Sequence, residues 1–244
     1  MELKGKNILI TGGTTGIGYD VVKRLHNDNA LIVVASNQAR LDKLSDEYAT
    51  VRTCHADLAD PTAVESVADA VHSNFDHLDV LINNAAVQYV PAFNDPDFER
   101  STIGREVAIS LTSVCSLTSL LLPSLTAADR PAAIVNVNSG LALAPKTSSA
   151  VYCATKAALN VFSQSLRYQL ASTNVSVLQA FMPLVDTPMT EGRGSGKLPA
   201  SSAAEYLLTG IERGIEDHDI GKVKLLRFLL AVAPWLARRI MRGS

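Results

Sequence analysis

A tyrosine and a lysine, Tyr152 and Lys156, have the residue types and the spacing for proton transfer. They lie in a stretch with helical periodicity, and residues spaced in this way share one face of a helix. A phenol titrates at about pH 10, and a neighbouring ammonium group is expected to stabilise the phenolate and lower the pKa of the tyrosine. The pair therefore predicts a general acid, although the same spacing alone usually marks only a surface pair.

A serine, Ser139, supports the interpretation that Tyr152 and Lys156 belong to a catalytic site. It comes directly after an apolar run that is typical of a buried strand, so it is expected at the carboxyl edge of a sheet. A hydroxyl group at that edge can hold a carbonyl oxygen of a substrate beside the tyrosine. The flanking residues Asn138 and Gly140 do not form the G-x-S-x-G pattern of a nucleophilic serine, which argues against a serine hydrolase.

The segment 11–18, T-G-G-T-T-G-I-G, predicts a phosphate-binding turn between the first strand and the first helix. Glycine permits a tight turn and the close approach of the backbone to a phosphate. The helix that follows offers free N–H groups and the positive end of its dipole to an anion. Taken alone, the spacing G-x-x-x-G-x-G also fits a glycine-rich connector that binds no ligand.

The elements that must position these residues alternate between short apolar strands and helices. Six strands are predicted, at 7–10, 31–35, 51–55, 80–82, 132–137 and 175–181. Helices are predicted at 17–26, 39–48, 62–74, 97–122 and 151–171. Such alternation indicates βαβ units with right-handed crossovers, so we expect an α/β fold with a single doubly wound parallel sheet and helices on both faces. With no linker in the sequence, residues 1–244 are predicted to form one domain.

Composition excludes several classes of protein. Of 244 residues, 47% are hydrophobic and 19% are charged, with a formal net charge of −2, which is typical of a globular protein and not of one that binds nucleic acid. Three separated cysteines and five histidines show no disulfide or metal-ligand pattern. The apolar run at the start is too short for a signal peptide, and none reaches the roughly 20 residues of a membrane span. A cytoplasmic location is expected.

Together, these motifs resemble those of the short-chain dehydrogenase/reductases, which have a Rossmann-type fold. The glycine pattern at 11–18 is followed by Asn-Asn-Ala-Ala at 83–86, by Ser139 with Tyr152 and Lys156, and by Pro-Leu-Val-Asp-Thr at 183–187, in the order of that family. The residues around Ser139 and Tyr152 particularly resemble bacterial members that are similar to the DltE oxidoreductase. The resemblance implies a hydride transfer between NAD(P) and a carbonyl or alcohol substrate.

The resemblance also implies roles for individual residues. Tyr152 would give or take the proton, Lys156 would tune it and bind the nicotinamide ribose, and Ser139 would orient the oxygen of the substrate. The cofactor channel would be lined, besides Tyr152 and Lys156, by residues of the glycine turn and of the strand ends: Gly12, Thr14, Thr15, Gly16, Ile17, Gly18, Ser36, Asn37, Asp57, Leu58, Asn84, Ala85, Ala86, Pro183, Val185 and Thr187. The substrate wall would consist of apolar residues, which suggests a small and fairly apolar substrate: Leu141, Leu143, Leu184 and Met189.

The sequence departs from the family pattern at a few positions. Ser110 aligns with an asparagine that holds a proton-relaying water in many members, and the shorter serine predicts a slower relay. Ala86 and Leu184 each replace a usual glycine. The second strand ends in Ser36-Asn37, with no carboxylate to repel a 2′-phosphate, which favours NADP over NAD. These departures leave open a second reading, a cofactor-binding sensor or scaffold with weak or lost catalysis.

Three further regions suggest mobility or association. The glycine-rich stretch 190–202 is predicted to be a mobile substrate loop. The basic and apolar segment 222–242 fits a membrane-surface helix, a cover for the substrate pocket or a subunit contact. The helices around 110–122 and 151–171 carry more apolar positions than one face needs, so either they pair in a homodimer or homotetramer or they are buried within one chain.

Overall fold

The computed structural model describes residues 1–127 and 130–243. Within this part of the chain, the main sheet has seven parallel strands: β1 Asn7–Thr11, β2 Ala30–Ala35, β3 Val51–His55, β4 Val80–Asn83, β5 Ala132–Ser139, β6 Val175–Met182 and β9 Asp217–Asp219. Two short strands form a separate parallel pair: β7 Val185–Asp186 and β8 Leu198–Pro199.

The α-helices of the same described ranges connect these strands: α1 Gly16–Leu25, α2 Gln38–Glu47, α3 Pro61–Asn74, α4 Ser101–Val107, α5 Ser113–Thr126, α6 Ala150–Gln169, α7 Ala200–Glu212, α8 Lys222–Val232 and α9 Pro234–Arg242. A π-helix, Ala108–Thr112, lies between α4 and α5. Short 3₁₀-helices follow β5 at Gly140–Ala142 and β7 at Pro188–Thr190.

The strand order confirms the predicted fold class. The strands lie in the order β3-β2-β1-β4-β5-β6-β9. Strands β2 and β3 are added on one side of β1, and the chain then crosses to the other side of β1, where β4, β5, β6 and β9 follow. Loops after neighbouring strands therefore diverge between β1 and β4, and a crevice opens there at the carboxyl ends of the strands. The turn at 11–18 and the loop after β4 meet at this point.

Helices cover both faces of the sheet because its central strands are buried on both sides. In β1, Ile8 and Ile10 belong to one apolar cluster with α1, α2 and α7, while Leu9 between them belongs to a second cluster with α3, α5 and α6. All three side chains are fully buried. Alternating residues of one strand thus serve two cores, which explains why the strands are continuously apolar.

Several elements differ from the expectations. The predicted helix 97–122 begins at Ser101 and runs to Thr126, with the π-helix interrupting it, because Asp95 and Asp97 instead form a turn in which Asp95 accepts a hydrogen bond from the Asp97 backbone at 3.0 Å. The last strand, β9, and the helix before it were not expected. The sequence of β9, Asp-His-Asp, has no alternation of apolar and polar residues from which a strand could be predicted.

The helical run Ser101–Thr126 is long and apolar enough to cross a membrane by length and composition. Its best window has a mean hydropathy of 1.6, and 44% of that window is buried inside the protein. The helix α5 packs against α3 and β4. Helices of a protein core have the same composition, so packing accounts for this one.

Two of the three regions for which mobility or association was predicted, 190–202 and 222–242, contain regular elements. The stretch 190–202 contains β8 and the first turn of α7, and its mobility stays a prediction. The C-terminal segment forms α8 and α9, in which Val223 and Ala237 are the buried residues. Val223 and Leu226 lie beside Gly140, next to Ser139, so α8 packs against the segment that follows β5. Contact of this segment with a membrane surface also stays a prediction.

Candidate functional site

The glycine turn brings backbone atoms so close together that side chains would not fit. Gly12 has a φ of +68° and Gly16 a φ of +54°, which glycine adopts without strain. A Cβ atom on Gly18 would lie 2.3 Å from the carbonyl oxygen of Gly12. The three glycines therefore leave a cradle of bare backbone in front of α1.

Asn84 and Thr11 hold this cradle in place. The Asn84 amide donates from Nδ2 to the carbonyl oxygens of Thr11 and Gly12, both at 3.0 Å. The buried Thr11 hydroxyl accepts the backbone N–H groups of Asn84 and Ala85, again at 3.0 Å. Asn84 was expected to line a cofactor channel, whereas its side chain fastens the loop after β4 to the turn. Thr11 was not singled out from the sequence, although it begins the glycine pattern.

The N-terminus of α1 is open to an anion. Thr15 is the N-cap residue, but its side chain accepts no hydrogen bond from the helix, and the first turn holds no acidic residue. Thr187, after β7, closes the other side, because a Cβ on Gly16 would lie 2.8 Å from its methyl group. Free N–H groups at the positive end of a helix dipole, beside a glycine cradle, suit the pyrophosphate of a dinucleotide. Thr14 and Ile17 lie in the same turn.

The ends of β2 and β3 form the next part of the crevice. Asn37 caps α2 by accepting the backbone N–H of Arg40 at 3.0 Å, and the carbonyl of Ser36 contacts the imidazole of His55 at 3.1 Å. No carboxylate stands at the end of β2. Arg40 forms no ion pair within the described ranges, so its guanidinium is free to meet a phosphate.

Asp57 and Leu58 follow β3, as expected for residues that flank a cofactor. Leu58 is buried. The Asp57 carboxylate accepts two hydrogen bonds from Arg105 of α4, at 2.9 and 3.3 Å, and one from the backbone of Ala59 at 3.1 Å. This ion pair ties α4 to the end of β3, and Arg105 is a partner that spacing along the chain does not indicate.

Tyr152 and Lys156 lie on one buried face of α6, as their spacing predicts. Lys156 donates a hydrogen bond from Nζ to the carbonyl oxygen of Val137 in β5 at 2.8 Å. The same nitrogen lies 5.7 Å from the centroid of the Tyr152 ring. Ser139 ends β5, and its Oγ accepts the backbone N–H of Leu141 at 3.1 Å. Strand β5 and helix α6 thus bring the three residues to the carboxyl edge of the sheet.

The protonation behaviour of this pair differs from the expectation. Burial raises the pKa of Tyr152 above its usual value, with a smaller contribution in the same direction from Cys153. Burial also lowers the pKa of Lys156, to about 8. The net lowering of the tyrosine pKa that was expected beside Lys156 is therefore wrong for this arrangement, because desolvation outweighs the charges near the ring. At neutral pH, Tyr152 holds its proton and has it available to donate.

Ser110 lies in the π-helix, which packs against α6. Its side chain is buried, and its Oγ has no hydrogen-bond partner among the described residues. A buried hydroxyl without a partner is costly, and π-helices often occur at functional sites. The Ser110 hydroxyl could therefore bind a water molecule or another polar group. Because the serine side chain is short, it does not reach a hydrogen-bond partner within the described part of the chain.

A chain of buried hydrogen bonds fixes β5 relative to its neighbours. Asn83 of β4 donates to Asn136 at 2.9 Å, and Asn136 donates to Ser163 of α6 at 2.8 Å. Asn138 donates to Gln179 of β6 at 2.9 Å. These side chains position the strand and the helix that carry Ser139, Tyr152 and Lys156. Asparagines inside an otherwise apolar strand were the signal that the sequence offered for this network.

The predicted substrate residues lie on the open side of the site. Leu141 and Leu143 are half-buried, while Leu184 is 40% and Met189 37% exposed. Pro183 and the buried Val185 precede and follow Leu184 at the end of β6. Ala85 and Ala86 follow β4 and are half-buried. The described residues include no group of His, Cys, Asp and Glu side chains that would hold a metal ion.

Comparisons with known proteins agree with this architecture. Residues 6–197 match the family model described as short chain dehydrogenase. The chain is 33% identical over 234 residues to the "Uncharacterized oxidoreductase DltE" of Bacillus subtilis (strain 168), covering 93% of this chain and 92% of that protein. It is 31% identical over 211 residues to the L-xylulose reductase of Bos taurus, covering 86% and 84% respectively.

A solved structure shares the fold over nearly the whole chain. It is a short chain dehydrogenase from Burkholderia cenocepacia J2315 in complex with NADP, with a TM-score of 0.87 and 23% sequence identity. The match covers 99% of both chains. The crevice between β1 and β4 thus belongs to an architecture that the two proteins share.

Proposed function

The chain belongs to the short-chain dehydrogenase/reductase family of NAD(P)-dependent oxidoreductases, and we propose that Tyr152 is the general acid that completes reduction of a small carbonyl substrate. The observation that carries this proposal is a buried, protonated phenol beside a buried lysine at the carboxyl edge of the sheet. Ser139 is the hydroxyl that orients the oxygen of the substrate. The reverse reaction oxidises the corresponding alcohol.

The cofactor fits the glycine cradle. Gly12, Gly16 and Gly18 leave room for a pyrophosphate, and the uncapped start of α1 supplies N–H donors to it. Lys156 binds a ribose hydroxyl, and Val185 and Thr187 line the nicotinamide end. A bound reduced nicotinamide supplies the hydride. Of the other assigned residues, those at the ends of β2 and β3 flank the adenosine half, and those after β4 line the cofactor channel.

The proton path follows from the side chains. The carbonyl carbon of the substrate gains the hydride, its oxygen takes the proton of Tyr152, and the phenolate that remains is reprotonated from solvent. The ammonium of Lys156 lies near the ring and stabilises that phenolate. Ser110 serves the return of the proton, and its short side chain makes this return slow. The ammonium of Lys156 and the hydroxyl groups of Ser139 and Tyr152 are carried by β5 and α6, so these groups need little rearrangement during the reaction.

NADP is the favoured form of the cofactor. The end of β2 has Ser36 and Asn37 in place of a carboxylate, and the exposed Arg40 forms no ion pair with a described residue. A 2′-phosphate therefore meets no negative charge there, and it has a cation one helical turn away. NAD lacks this phosphate and would lose that contact.

The remaining assignments concern size, assembly and location. Residues 1–244 form one domain, and the chain acts in the cytoplasm. Exposed apolar residues on the long helices support a homodimer or homotetramer: Leu120, Val161 and Tyr168. The stretch 190–202 moves when substrate binds, and the leucines and Met189 form a fairly apolar wall. Sedimentation velocity of the wild-type chain against Val161→Asp and Tyr168→Asp variants tests the assembly.

Turnover assays separate this proposal from a sensor or scaffold. A panel of small ketones and aldehydes is incubated with NADPH or NADH, and loss of reduced nicotinamide is followed by absorbance. Cofactor-dependent reduction of at least one member is expected. Binding of NADPH without turnover of any member would instead favour the scaffold. An enzyme that reduces polar sugars and no apolar carbonyl would contradict the assignment of the wall.

A further inference from the structure

Two cations lie in the segments next to Leu184 and before α6, and they take no part in the proposed proton transfer. Lys146 stands between the 3₁₀-helix Gly140–Ala142 and α6, and Arg193 follows the 3₁₀-helix Pro188–Thr190. Both side chains are half-buried. They come from distant parts of the sequence, and neither was singled out by its spacing.

The Arg193 guanidinium is held in position. Its Nη1 donates a hydrogen bond to the side-chain oxygen of Gln88, in the loop after β4, at 2.7 Å. Its backbone N–H donates to the carbonyl of Thr190 at 3.1 Å. The next residue, Gly194, lies so close to Leu184 that a Cβ would stand 2.4 Å from a methyl carbon of that leucine. Arg193 therefore bridges the apolar wall and the loop after β4.

The two cations lie within electrostatic reach of each other, and Arg193 lies within reach of Tyr152. Burial raises the pKa of Tyr152, and the charge of Arg193 opposes this rise. Burial lowers the pKa of Lys146, and the charge of Arg193 lowers it further. Burial raises the pKa of the Cys153 thiol, beside Tyr152, and Lys146 opposes this rise through its backbone N–H and its charge, so the Lys146 segment lies near the start of α6.

These charges are not compensated by ion pairs. Neither Lys146 nor Arg193 forms an ion pair with a residue in the described ranges. The charge of Glu106 of α4 also acts on Tyr152 and Cys153. Glu106 is buried, and its oxygen accepts the backbone N–H of Tyr89 at 3.1 Å. Burial raises the pKa of Glu106, which shifts its carboxyl group toward the neutral form.

Two neighbouring cations in a partly desolvated crevice repel each other, and an anion between them would remove that cost. A guanidinium held by one side-chain bond keeps other N–H groups free for a carboxylate or a similar group. We propose that the substrate carries a small anionic group, which binds between Lys146 and Arg193 while its carbonyl faces Ser139 and Tyr152. This inference rests on the proposed function.

The substrate class follows from the two kinds of surface around the site. Leu184 and Met189 contact the carbon chain, and the two cations hold its charged end. The site thus suits an oxo-acid or another carbonyl compound with a short apolar linker and an anionic group. The apolar wall expected from the sequence accounts for the linker but not for the cations.

Matched acids and esters test the proposal. The probes are levulinate and acetoacetate, each compared with its methyl ester, which keeps the carbonyl and removes the charge. The kcat/KM of reduction with NADPH is measured for the wild type, Arg193→Ala and Lys146→Ala. Arg52→Ala, an exposed arginine on the edge strand β3, is the control.

The wild type is expected to reduce the acids with a kcat/KM about tenfold or more above that of the esters. Arg193→Ala should lower kcat/KM for the acids by about 10- to 100-fold, mainly through KM, which is the range for a lost hydrogen bond to a charged group. The values for the esters should stay within about twofold. Lys146→Ala should act in the same direction, and Arg52→Ala should change nothing.

Two results would overturn the proposal of an anion site, and only the second would also contradict the proposed oxidoreductase function. Equal reduction of acids and esters by the wild type, or an equal loss for both in Arg193→Ala, would remove the anion site and leave the oxidoreductase reading intact. Failure of the wild type to reduce any acid, ester or panel member, with NADPH bound, would contradict the proposed function and the anion site together.

Discussion

The cofactor side and the substrate side of the crevice are built in different ways. On the cofactor side, Gly12, Gly16 and Gly18 lie within one turn, and a Cβ atom there would stand as close as 2.3 Å to the backbone, which excludes other residues. On the substrate side, Gln88, Lys146 and Arg193 come from three loops, and a single side-chain bond joins two of them. The first region is determined by local backbone geometry, and the second by the meeting of distant segments.

This difference separates the region expected to bind the cofactor from the region expected to select the substrate. A backbone cradle that admits only glycine serves one ligand shape, a pyrophosphate, in any protein that has it. Side chains on loops can change without disturbing the sheet, so they can adapt the same chemistry to another substrate. In the proposed reaction, Tyr152 and Lys156, on α6, would carry out the same proton transfer on any substrate that the loops bind.

Removing the proton donor should have the largest effect. In Tyr152→Phe the ring remains and the hydroxyl is lost, so kcat for carbonyl reduction should fall by about 10²- to 10⁴-fold, the range for a general acid. NADPH affinity should change little. Steady-state assays of kcat and a fluorescence titration measure the two quantities, with Tyr206→Phe, 46% exposed, as the control. A variant that keeps most of its kcat would show that Tyr152 is not the acid.

Filling the cradle should remove cofactor binding. In Gly18→Ala the new methyl group would meet the Gly12 carbonyl, so the turn must open. For the wild type, NADPH at 100 times its Kd should add about 2.7 kcal/mol of stability. This stabilisation should nearly vanish in Gly18→Ala and persist in Gly104→Ala, where nothing lies within 4 Å of the added carbon. Thermal unfolding with and without NADPH measures it, and an unchanged shift would contradict the cradle.

The buried lysine should make stability depend on pH. The folded protein loses the Lys156 proton near the depressed pKa of about 8, while the unfolded chain keeps it until about pH 10.4. Between these values the unfolded state binds more protons, so stability rises with pH. The free energy of unfolding of the wild type minus that of Lys156→Met should increase by about 2 kcal/mol between about pH 8 and pH 10.

Urea titrations at several pH values measure this difference, and the comparison with Lys156→Met cancels the contributions of groups that both proteins share. The raised pKa of Tyr152 opposes the trend above about pH 10 in both proteins, so it cancels in the difference. The upper limit of the window is set by the lysine of the unfolded chain, which titrates at about pH 10.4. A difference that is flat or falls with pH would mean that Lys156 is better solvated than its burial indicates.

Ser110→Asn should have the smallest effect. An amide has more hydrogen-bonding sites than a hydroxyl and can hold a relay water, so kcat should rise by about twofold to tenfold where proton return limits the rate. Ser110→Ala should lower it by a similar or smaller factor. The pH profile of kcat for both variants, with thermal unfolding as a check on packing, measures the effect. An unchanged kcat at every pH would contradict the relay.

The sequence allowed the fold and the cofactor side to be predicted because their signals are local. Apolar runs such as 7–10 and the glycine pattern at 11–18 each report on neighbouring residues. Tyr152 and Lys156 were found in the same way, from a spacing of one helical turn. The missed strand Asp217–Asp219 has no such pattern, because it is specified by pairing with β6.

The rest of the site depends on contacts that no spacing reveals. Arg105 reaches Asp57 across 48 positions, and Arg193 reaches Gln88 across 105. The pKa of Tyr152 was misjudged because the sequence shows that a phenol and an ammonium group are neighbours but not that both are desolvated. Burial is a property of the assembled fold, and it determines the direction in which both pKa values shift.

A titration of the wild-type protein with NADPH and NADH, followed by nicotinamide fluorescence, tests the central claim most directly. Micromolar binding is expected, tighter for NADPH because Ser36 and Asn37 leave the 2′-phosphate without a repelling carboxylate. Tighter binding of NADH would contradict the assignment of the strand-end residues alone. Binding of neither nucleotide would contradict the cofactor cradle and the oxidoreductase function that depends on it.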